Sequence, residues 1–143
     1  MQTIKCIIAD DEHPARELIQ LYLEEMEGFE LLGTFSNALD TFNFMQNNVV
    51  DLLFLDIQMP KVSGVELIKS LKVCPKIILT TAFREYAAEA FELDVLDYLV
   101  KPITHERFMK AISKYNFYKN KVAEKKEAAD TFDQAYIFFK TGK

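Results

Sequence analysis

The feature that most constrains the fold is a fivefold alternation of short apolar segments with longer segments of helical periodicity. The apolar segments are rich in Ile, Leu and Val, and most lack the apolar–polar alternation of a strand with one wet face. The pattern predicts strands at residues 4–9, 29–35, 51–56, 76–80 and 95–100, and helices at residues 13–27, 38–47, 65–71 and 84–92, with a last helix from about residue 104.

Alternation with short connections favours parallel strands joined by right-handed crossovers that carry a helix. Strands with two apolar faces need helices on both sides of the sheet. The pattern therefore predicts an α/β protein, a doubly wound five-stranded parallel sheet between two layers of helices.

Composition places the chain among soluble globular proteins of about one domain. It has 143 residues, of which 50% are hydrophobic and 27% charged. No apolar run approaches the roughly 18 residues that a membrane span needs, and the first ten residues, MQTIKCIIAD, lack the layout of a signal peptide. We therefore expect a cytoplasmic protein with no membrane contact.

The net charge of −5 is unevenly distributed along the chain. Residues 1–117 contain 11 Lys and Arg against 18 Asp and Glu, a net charge of −7, whereas residues 118–143 contain 6 against 4, a net charge of +2. Binding of nucleic-acid phosphates needs a positive surface. The body of the chain is therefore not expected to bind DNA by itself.

One predicted strand delivers a carboxylate to the edge of the sheet. The segment VDLLFLDIQMPKVSG, residues 50–64, has an apolar strand core that ends at Asp56. Pro60 cannot donate to a sheet ladder and biases the residue before it away from helix, so the chain leaves the sheet as a loop. Asp56 is thereby predicted at the carboxyl end of a buried strand, where ligands bind in open α/β sheets.

Polar residues also follow the other strands. Asp10 and Asp11 follow the first strand, Thr81 the fourth and Lys101 the fifth. Because parallel strands end on one rim, these groups can converge with Asp56. Gathered carboxylates repel one another unless their pKa values rise or a cation joins them, and Mg²⁺ prefers such oxygen ligands. A Lys and a hydroxyl beside them would complete a site for a phosphoryl group.

Four ordered motifs closely resemble those of bacterial response-regulator receiver domains: DD at 10–11, LDIQMPKVSG at 55–64, TTA at 80–82 and DYLVKP at 97–102. The resemblance covers about residues 4–118. It implies a flavodoxin-like (βα)5 fold with strand order 2-1-3-4-5. It also implies a switch in a two-component system rather than an enzyme with external turnover, since such a domain catalyses only its own phosphorylation and dephosphorylation.

The resemblance also implies a role for each site residue. Asp56 would accept a phosphoryl group from a sensor histidine kinase, and Lys101 and Thr81 would contact the phosphoryl oxygens. Mg²⁺ would be bound by Asp11, Asp56 and the backbone carbonyl of Gln58, with Asp10 acting mainly through a metal-bound water.

The resemblance also implies a switch residue and a cis peptide bond. Tyr98 is similar to the family's switch aromatic, and the bond between Lys101 and Pro102 would be cis. A phosphoryl bond to Thr81 would move the following loop and let Tyr98 rotate inward. This would alter the surface formed by the fourth helix, fifth strand and last helix, where a homodimer is expected. A plain core role for Tyr98 remains open, because aromatic residues are common in strands.

The last 25 residues differ in kind from the rest. Residues 119–134 begin with the charged, Ala-rich run KNKVAEKKEAAD and are expected to form a helical extension or linker. Residues 135–140, AYIFFK, are predicted to form an extra strand. The segment 135–143 resembles the start of a LytTR-type DNA-binding domain, otherwise absent from this chain, and residues 83–102 resemble receivers that precede such a domain. DNA would be bound only through that domain. The aromatic residues Phe138 and Phe139 could instead contact a partner chain.

Two other functions use the same fold or the same chemistry. A protein-interaction module of the same fold could signal without phosphate, but none of the five site positions is missing. A phosphatase with an aspartyl phosphate intermediate would need an acid two residues after the nucleophile, and Gln58 occupies that position.

The cysteines and histidines show no metal-ligand spacing. Cys6 and Cys74 are expected to be small buried or half-buried side chains, without a CxxC motif. His13 and His105 are expected on the surface, near helix starts.

Overall fold

The computed structural model describes the backbone of residues 2–141, and the side chains of this range apart from residues 87, 91 and 130–141. Its strands are β1 (Ile4–Ala9), β2 (Phe29–Phe35), β3 (Leu52–Asp56), β4 (Lys76–Thr81) and β5 (Asp97–Val100). Its helices are α1 (His13–Glu24), α2 (Ala38–Asn47), α3 (Gly64–Ser70), α4 (Ala87–Glu92) and α5 (His105–Thr141), and a 3-10 turn at Arg84–Tyr86 precedes α4.

The five strands form one parallel sheet in the order β2-β1-β3-β4-β5. The predicted fold class and strand order are therefore confirmed. In register, Ile7 of β1 lies opposite Leu53 of β3, which lies opposite Ile77 of β4. Strand β3 lies at the centre of the sheet, and all five of its residues are buried.

Two hydrophobic cores lie on the two faces of the sheet. Successive strand side chains point to opposite faces, so β3 contributes Leu52 and Phe54 to one core and Leu53 and Leu55 to the other. The first core contains residues of α1 and α5, including Phe108, whose ring stacks on Phe54 with centroids 5.5 Å apart. The second contains residues of α2, α3 and α4.

Local capping explains where two of the helices begin. The side chain of Asn37 accepts a hydrogen bond from the Asp40 N–H at 2.8 Å and caps α2. Ser63 and Glu66 form a reciprocal capping box at the start of α3. Both helices thus begin at polar residues in the loops that follow β2 and β3.

Helix α5 continues from the body to Thr141, and this corrects one prediction. The extra strand expected at residues 135–140 is wrong, because these residues lie in the helix. The side chains of residues 119–129 are exposed, as the expected helical extension requires. A short apolar run cannot be assigned to strand or helix from its own pattern, and this one follows a segment of good helix formers with no Pro or Gly.

Other sequence expectations concern single side chains. Cys6 is buried, and burial raises the pKa of its thiol to about 12. Cys74 is exposed, which corrects the expectation that it is buried or half-buried; it lies in the turn between α3 and β4. His13 and His105 are exposed, as predicted. None of the helices in the described residues has the length and apolarity to cross a bilayer.

Candidate functional site

The carboxyl ends of β1, β3, β4 and β5 bring the predicted polar residues to one rim of the sheet. Asp56 is the last residue of β3 and Thr81 the last of β4, and Asp10 follows β1 directly. The N–H of Lys101 donates to the carbonyl of Thr81 at 2.7 Å, so the end of β5 is fixed to the end of β4. Strand pairing alone thus places these chain-distant groups next to one another.

Asp56 is the buried carboxylate at the centre of this rim, with 4% of its surface exposed. Its Oδ1 accepts a hydrogen bond from the Gln58 N–H at 3.2 Å. Burial and the neighbouring charge of Asp10 raise the pKa of Asp56 to about 7, although Lys101 opposes the shift. Burial and repulsion by Asp10 thus outweigh the attraction of Lys101, and the ionised form of Asp56 is destabilised.

The loop after β1 adds three more carboxylates. One oxygen from each of Asp10, Asp11, Glu12 and Asp56 lies within 4.8 Å of the others. Asp10 is fully buried, and its Oδ1 accepts a hydrogen bond from the Glu12 N–H at 2.9 Å. Its Oδ2 has an ion pair with Lys101 but no well-directed hydrogen bond within the described part of the chain. In the described part of the chain, one ammonium group lies close enough to offset the charge of these carboxylate oxygen atoms.

Lys101 supplies that ammonium group. Its Nζ lies 2.8 Å from Asp10 Oδ2, 3.1 Å from Glu12 Oε1 and 3.5 Å from Asp56 Oδ2. Burial alone would lower the pKa of Lys101, but the contact with Asp10 and the charges of Asp56 and Asp10 outweigh burial and raise it. Lys101 therefore stays charged. The Lys101–Pro102 peptide bond is cis.

Thr81 and Tyr98 contact the same residue of the loop after β4. Thr81 is fully buried, and its Oγ1 accepts a hydrogen bond from the Phe83 N–H at 3.1 Å. The Tyr98 hydroxyl donates to the Phe83 carbonyl at 2.6 Å. Tyr98 is half-buried, and burial raises the pKa of its phenol. The backbone of Phe83 thus connects the rim hydroxyl to the aromatic side chain of β5.

The loop after β3 passes close to Asp56. Adding a Cβ at Gly64 would place it against the backbone carbonyl of Asp56 and 3.1 Å from the Ile57 Cα. The Gly64 N–H donates to the Ile57 carbonyl at 2.8 Å. The absence of a side chain at Gly64 therefore lets the loop return against the end of β3, which fixes the backbone that carries the carboxylate.

The structure brings together Asp10, Asp11, Asp56 and Lys101, with Thr81 at the adjacent strand end. Two features were not predicted from the sequence. Glu12 contacts Lys101, and Gln58 Nε2 donates to the Tyr86 hydroxyl at 2.9 Å. The position of Glu12 directly after two rim aspartates was a usable signal for the first, whereas no local pattern relates Gln58 to Tyr86.

Chemically, the rim offers a buried carboxylate that can act as a nucleophile and a group of oxygen atoms suited to a hard divalent cation. It also offers a charged amine and a hydroxyl that can contact an anion. The described residues of this rim include no thiol and no histidine in the group of close ligands. These groups are chemically suited to accept a phosphoryl group on a carboxylate.

Comparison with known proteins identifies relatives over most of the chain. A family model described as the response regulator receiver domain matches residues 6–113. The transcriptional regulatory protein BtsR of Escherichia coli K12 is 42% identical over 113 residues, which are 78% of this chain and 47% of that protein. The transcriptional regulatory protein YpdB of the same organism is 38% identical over 114 residues, 78% of this chain and 47% of that protein. The chain thus spans about half the length of these curated relatives.

Solved structures give the same result for the fold. The response regulatory domain of protein mrkE from Klebsiella pneumoniae superposes with a TM-score of 0.76 and 34% identity, covering 82% of this chain and 99% of that one. The receiver domain of AraT, a response regulator from Geobacillus stearothermophilus, superposes with a TM-score of 0.69 and 28% identity, covering 84% and 99%.

Proposed function

Because this chain belongs to the response regulator receiver domain family, we propose that it is a phosphorylation-controlled switch of a cytoplasmic two-component system. Asp56 accepts a phosphoryl group from a sensor histidine kinase with the help of Mg²⁺. The change then passes to a surface that controls a transcriptional output. The observation that carries the proposal is the convergence of four carboxylates with the Lys101 ammonium around the end of β3.

The chain's own residues support the transfer step. An oxygen of Asp56 bonds to phosphorus while the bond from phosphorus to the imidazole nitrogen of the donor breaks. Lys101 Nζ, 3.5 Å from Asp56 Oδ2, offsets charge on the phosphoryl oxygens. The Thr81 hydroxyl accepts from Phe83 and keeps its own proton for a phosphoryl oxygen. Phosphoryl transfer depends mainly on positioning and charge neutralisation, which this rim provides.

The donor set fits Mg²⁺. All close ligands are oxygen atoms, and the buried Asp10 Oδ2 has no well-directed hydrogen bond among the described residues. Asp11, Asp56 and the Gln58 carbonyl would hold the ion directly, and Asp10 would act through a bound water. When bound, the ion supplies positive charge to the phosphoryl oxygens and relieves repulsion among the carboxylates.

The connection through Phe83 supports the switching part of the proposal. A hydrogen bond from the Thr81 hydroxyl to a phosphoryl oxygen would move Thr81 Oγ1, the atom that accepts the hydrogen bond from the Phe83 N–H. The loop that contains Phe83 would move with it. Because the Phe83 carbonyl holds the Tyr98 hydroxyl, displacement of this loop would release Tyr98 to rotate inward. The surface of α4, β5 and α5 would then change, and we propose that a homodimer forms there upon phosphorylation.

The output is proposed from the relatives. Two of them are named transcriptional regulatory proteins, and this chain covers 47% of each. We propose that the output is DNA binding by a LytTR-type domain in the part of the relatives that this chain does not cover, on the resemblance of residues 83–102 to receivers that precede such a domain. Residues 1–118 would be the receiver and residues 119–134 the connection to the output domain.

The test is phosphorylation by a small donor. Wild-type protein with Mg²⁺ and acetyl phosphate should gain the mass of one phosphoryl group, which alkaline hydroxylamine should remove. Asp56→Asn should gain nothing. Asp94→Asn, a matched exposed acid in the turn between α4 and β5, should behave as wild type. If wild type gained no mass, the switch would be excluded in favour of a phosphate-independent interaction module.

A further inference from the structure

Glu12 is the one of the four clustered carboxylates to which the proposed transfer gives no separate role. Its carboxylate is largely exposed, with 64% of the side-chain surface accessible, yet Oε1 lies 3.1 Å from the Nζ of the largely buried Lys101. The contact also meets hydrogen-bond geometry. An exposed side chain therefore occupies one donor of the amine that faces Asp56.

The position of Glu12 is set by the site rather than by the helix that follows. Glu12 is the N-cap of α1, but its side chain makes no capping hydrogen bond. Its N–H is held by the buried Asp10 Oδ1 at 2.9 Å, and the Arg16 guanidinium holds the Asp10 carbonyl at 2.7 Å. The backbone is thus fixed at the rim, and the side chain reaches across to Lys101.

The Lys101 ammonium donates hydrogen bonds to Glu12 at 3.1 Å and to Asp56 at 3.5 Å, and it forms an ion pair with Asp10 at 2.8 Å. A phosphoryl group on Asp56 would require at least one donor. Asp10 is fully buried and would lose its cationic partner if Lys101 left it, whereas Glu12 can turn to water. The contact with Glu12 is therefore the one that can be given up at low cost.

We propose that Glu12 is a positioning residue that occupies one N–H donor of Lys101 in the resting state, so that Lys101 contacts Asp56 only at 3.5 Å, and that Glu12 must release this donor when the phosphoryl group forms. The inference rests on the proposed function of Asp56. Glu12 thereby opposes phosphorylation, and its removal favours the phosphorylated conformation.

A different role for Glu12 predicts the opposite result. Its carboxylate belongs to the group of four within 4.8 Å, so it could serve as a further ligand of the cation. In that case Glu12→Gln would weaken Mg²⁺ binding and hinder phosphorylation. Comparison of Mg²⁺ affinity with phosphoryl-analogue affinity separates the two roles.

The experiment is a titration with beryllofluoride at saturating Mg²⁺, followed by ¹⁹F NMR. Glu12→Gln should lower the beryllofluoride concentration for half-saturation about two- to fivefold, the range for loss of one exposed ion pair. Its Mg²⁺ half-saturation should equal that of wild type. Glu12→Asp keeps the charge but is one methylene too short to reach Lys101, and should also bind more tightly. Glu17→Gln, an exposed acid on α1 that contacts His13, is the matched control and should equal wild type.

Three results would overturn the inference while the proposed function stands. These are no change in Glu12→Gln, weaker Mg²⁺ binding in Glu12→Gln, or wild-type affinity in Glu12→Asp, which would show an effect of charge alone. Failure of wild type to bind beryllofluoride with Mg²⁺ would overturn both the inference and the proposed function.

Discussion

Gln58 Nε2 donates a hydrogen bond to the Tyr86 hydroxyl at 2.9 Å and so joins the loop after β3 to the turn before α4. The two side chains line one groove together with Asp11. The bond therefore connects the loop that follows Asp56 to the segment that follows Thr81.

Tyr86→Phe removes this bond and keeps the edge-to-face contact with Phe83, whose centroid lies 6.0 Å away. The bond is exposed, so we expect a loss of stability of about 0.5 kcal/mol, at the low end for a hydrogen bond. We expect faster amide hydrogen exchange at residues 83–86 and faster hydrolysis of the aspartyl phosphate, because water enters the groove more easily. Unchanged exchange at these amides would show that the bond does not order the segment.

The raised pKa of Asp56 predicts an unusual dependence of stability on pH in the absence of Mg²⁺. The pKa of the Asp56 carboxyl is about 7 in the folded state and near 3.8 in the unfolded state. The folded state therefore binds more protons between these values, and stability falls as pH rises from about 4 to about 7, by roughly 2 to 4 kcal/mol. Urea unfolding across this range should show the decline.

Asp56→Asn should remove that decline and be more stable than wild type at pH 7.5, because it takes one negative charge out of the rim. Asp94→Asn should retain the decline. A wild-type stability that rises steadily from pH 4 to pH 7 would contradict the assignment of a raised pKa to Asp56.

Asp97 predicts the opposite dependence. It is buried, and it accepts two hydrogen bonds from Arg107 at 2.9 and 2.7 Å and one from Lys114 at 3.1 Å. Burial would raise the pKa of Asp97, but the Arg107, Tyr98 N–H and Lys114 hydrogen bonds outweigh it and lower the pKa. Asp97 therefore contributes stability above its ordinary pKa of 3.8, and this is lost as pH falls through the lowered folded value.

Asp97→Asn is expected to cost about 2 to 3 kcal/mol at pH 7, because Arg107 loses a bidentate partner. Arg107→Lys should cost less, since it keeps the charge and loses the two-pronged geometry. Thermal or urea unfolding measures both. Equal stability of Asp97→Asn and wild type would show that the hydrogen bonds of Asp97 with Arg107 and Lys114 do not stabilise the fold.

Thr80 carries a buried hydroxyl without a hydrogen-bond partner in the described part of the chain. Thr80→Val replaces that hydroxyl with a methyl group of similar size, and is expected to raise the free energy of unfolding by about 1 kcal/mol. The urea midpoint gives the result. A loss of stability would mean that Thr80 has a partner, such as a bound water.

The parts of this molecule that the sequence predicts are those fixed by periodicity and strand ends. Apolar runs such as Leu52–Leu55 fix the central strand, and parallel pairing then brings Asp10, Asp56, Thr81 and Lys101 to one edge without further information. The resemblance to a family supplied the strand order, because alternation alone allows several.

Contacts between side chains of different loops were not predictable in this way. The pairs Glu12–Lys101 and Gln58–Tyr86 depend on rotamers and on the path of loops, which no local pattern specifies. The end of α5 was predicted incorrectly because AYIFFK has strand composition, whereas a helix already formed extends at one hydrogen bond per residue.

Because α5 is continuous, its packed first turns and its exposed extension move as one rigid element. Phe108 and Tyr115 pack its first turns against the sheet, while the 23 residues after Tyr118 extend for about 34 Å at the helical rise. A tilt of the packed turns by about 10° would displace the far end of the helix by roughly 6 Å at that length. A change in helix orientation that is too small to alter the packing against β5 would thus produce a displacement of several ångströms at the end of α5.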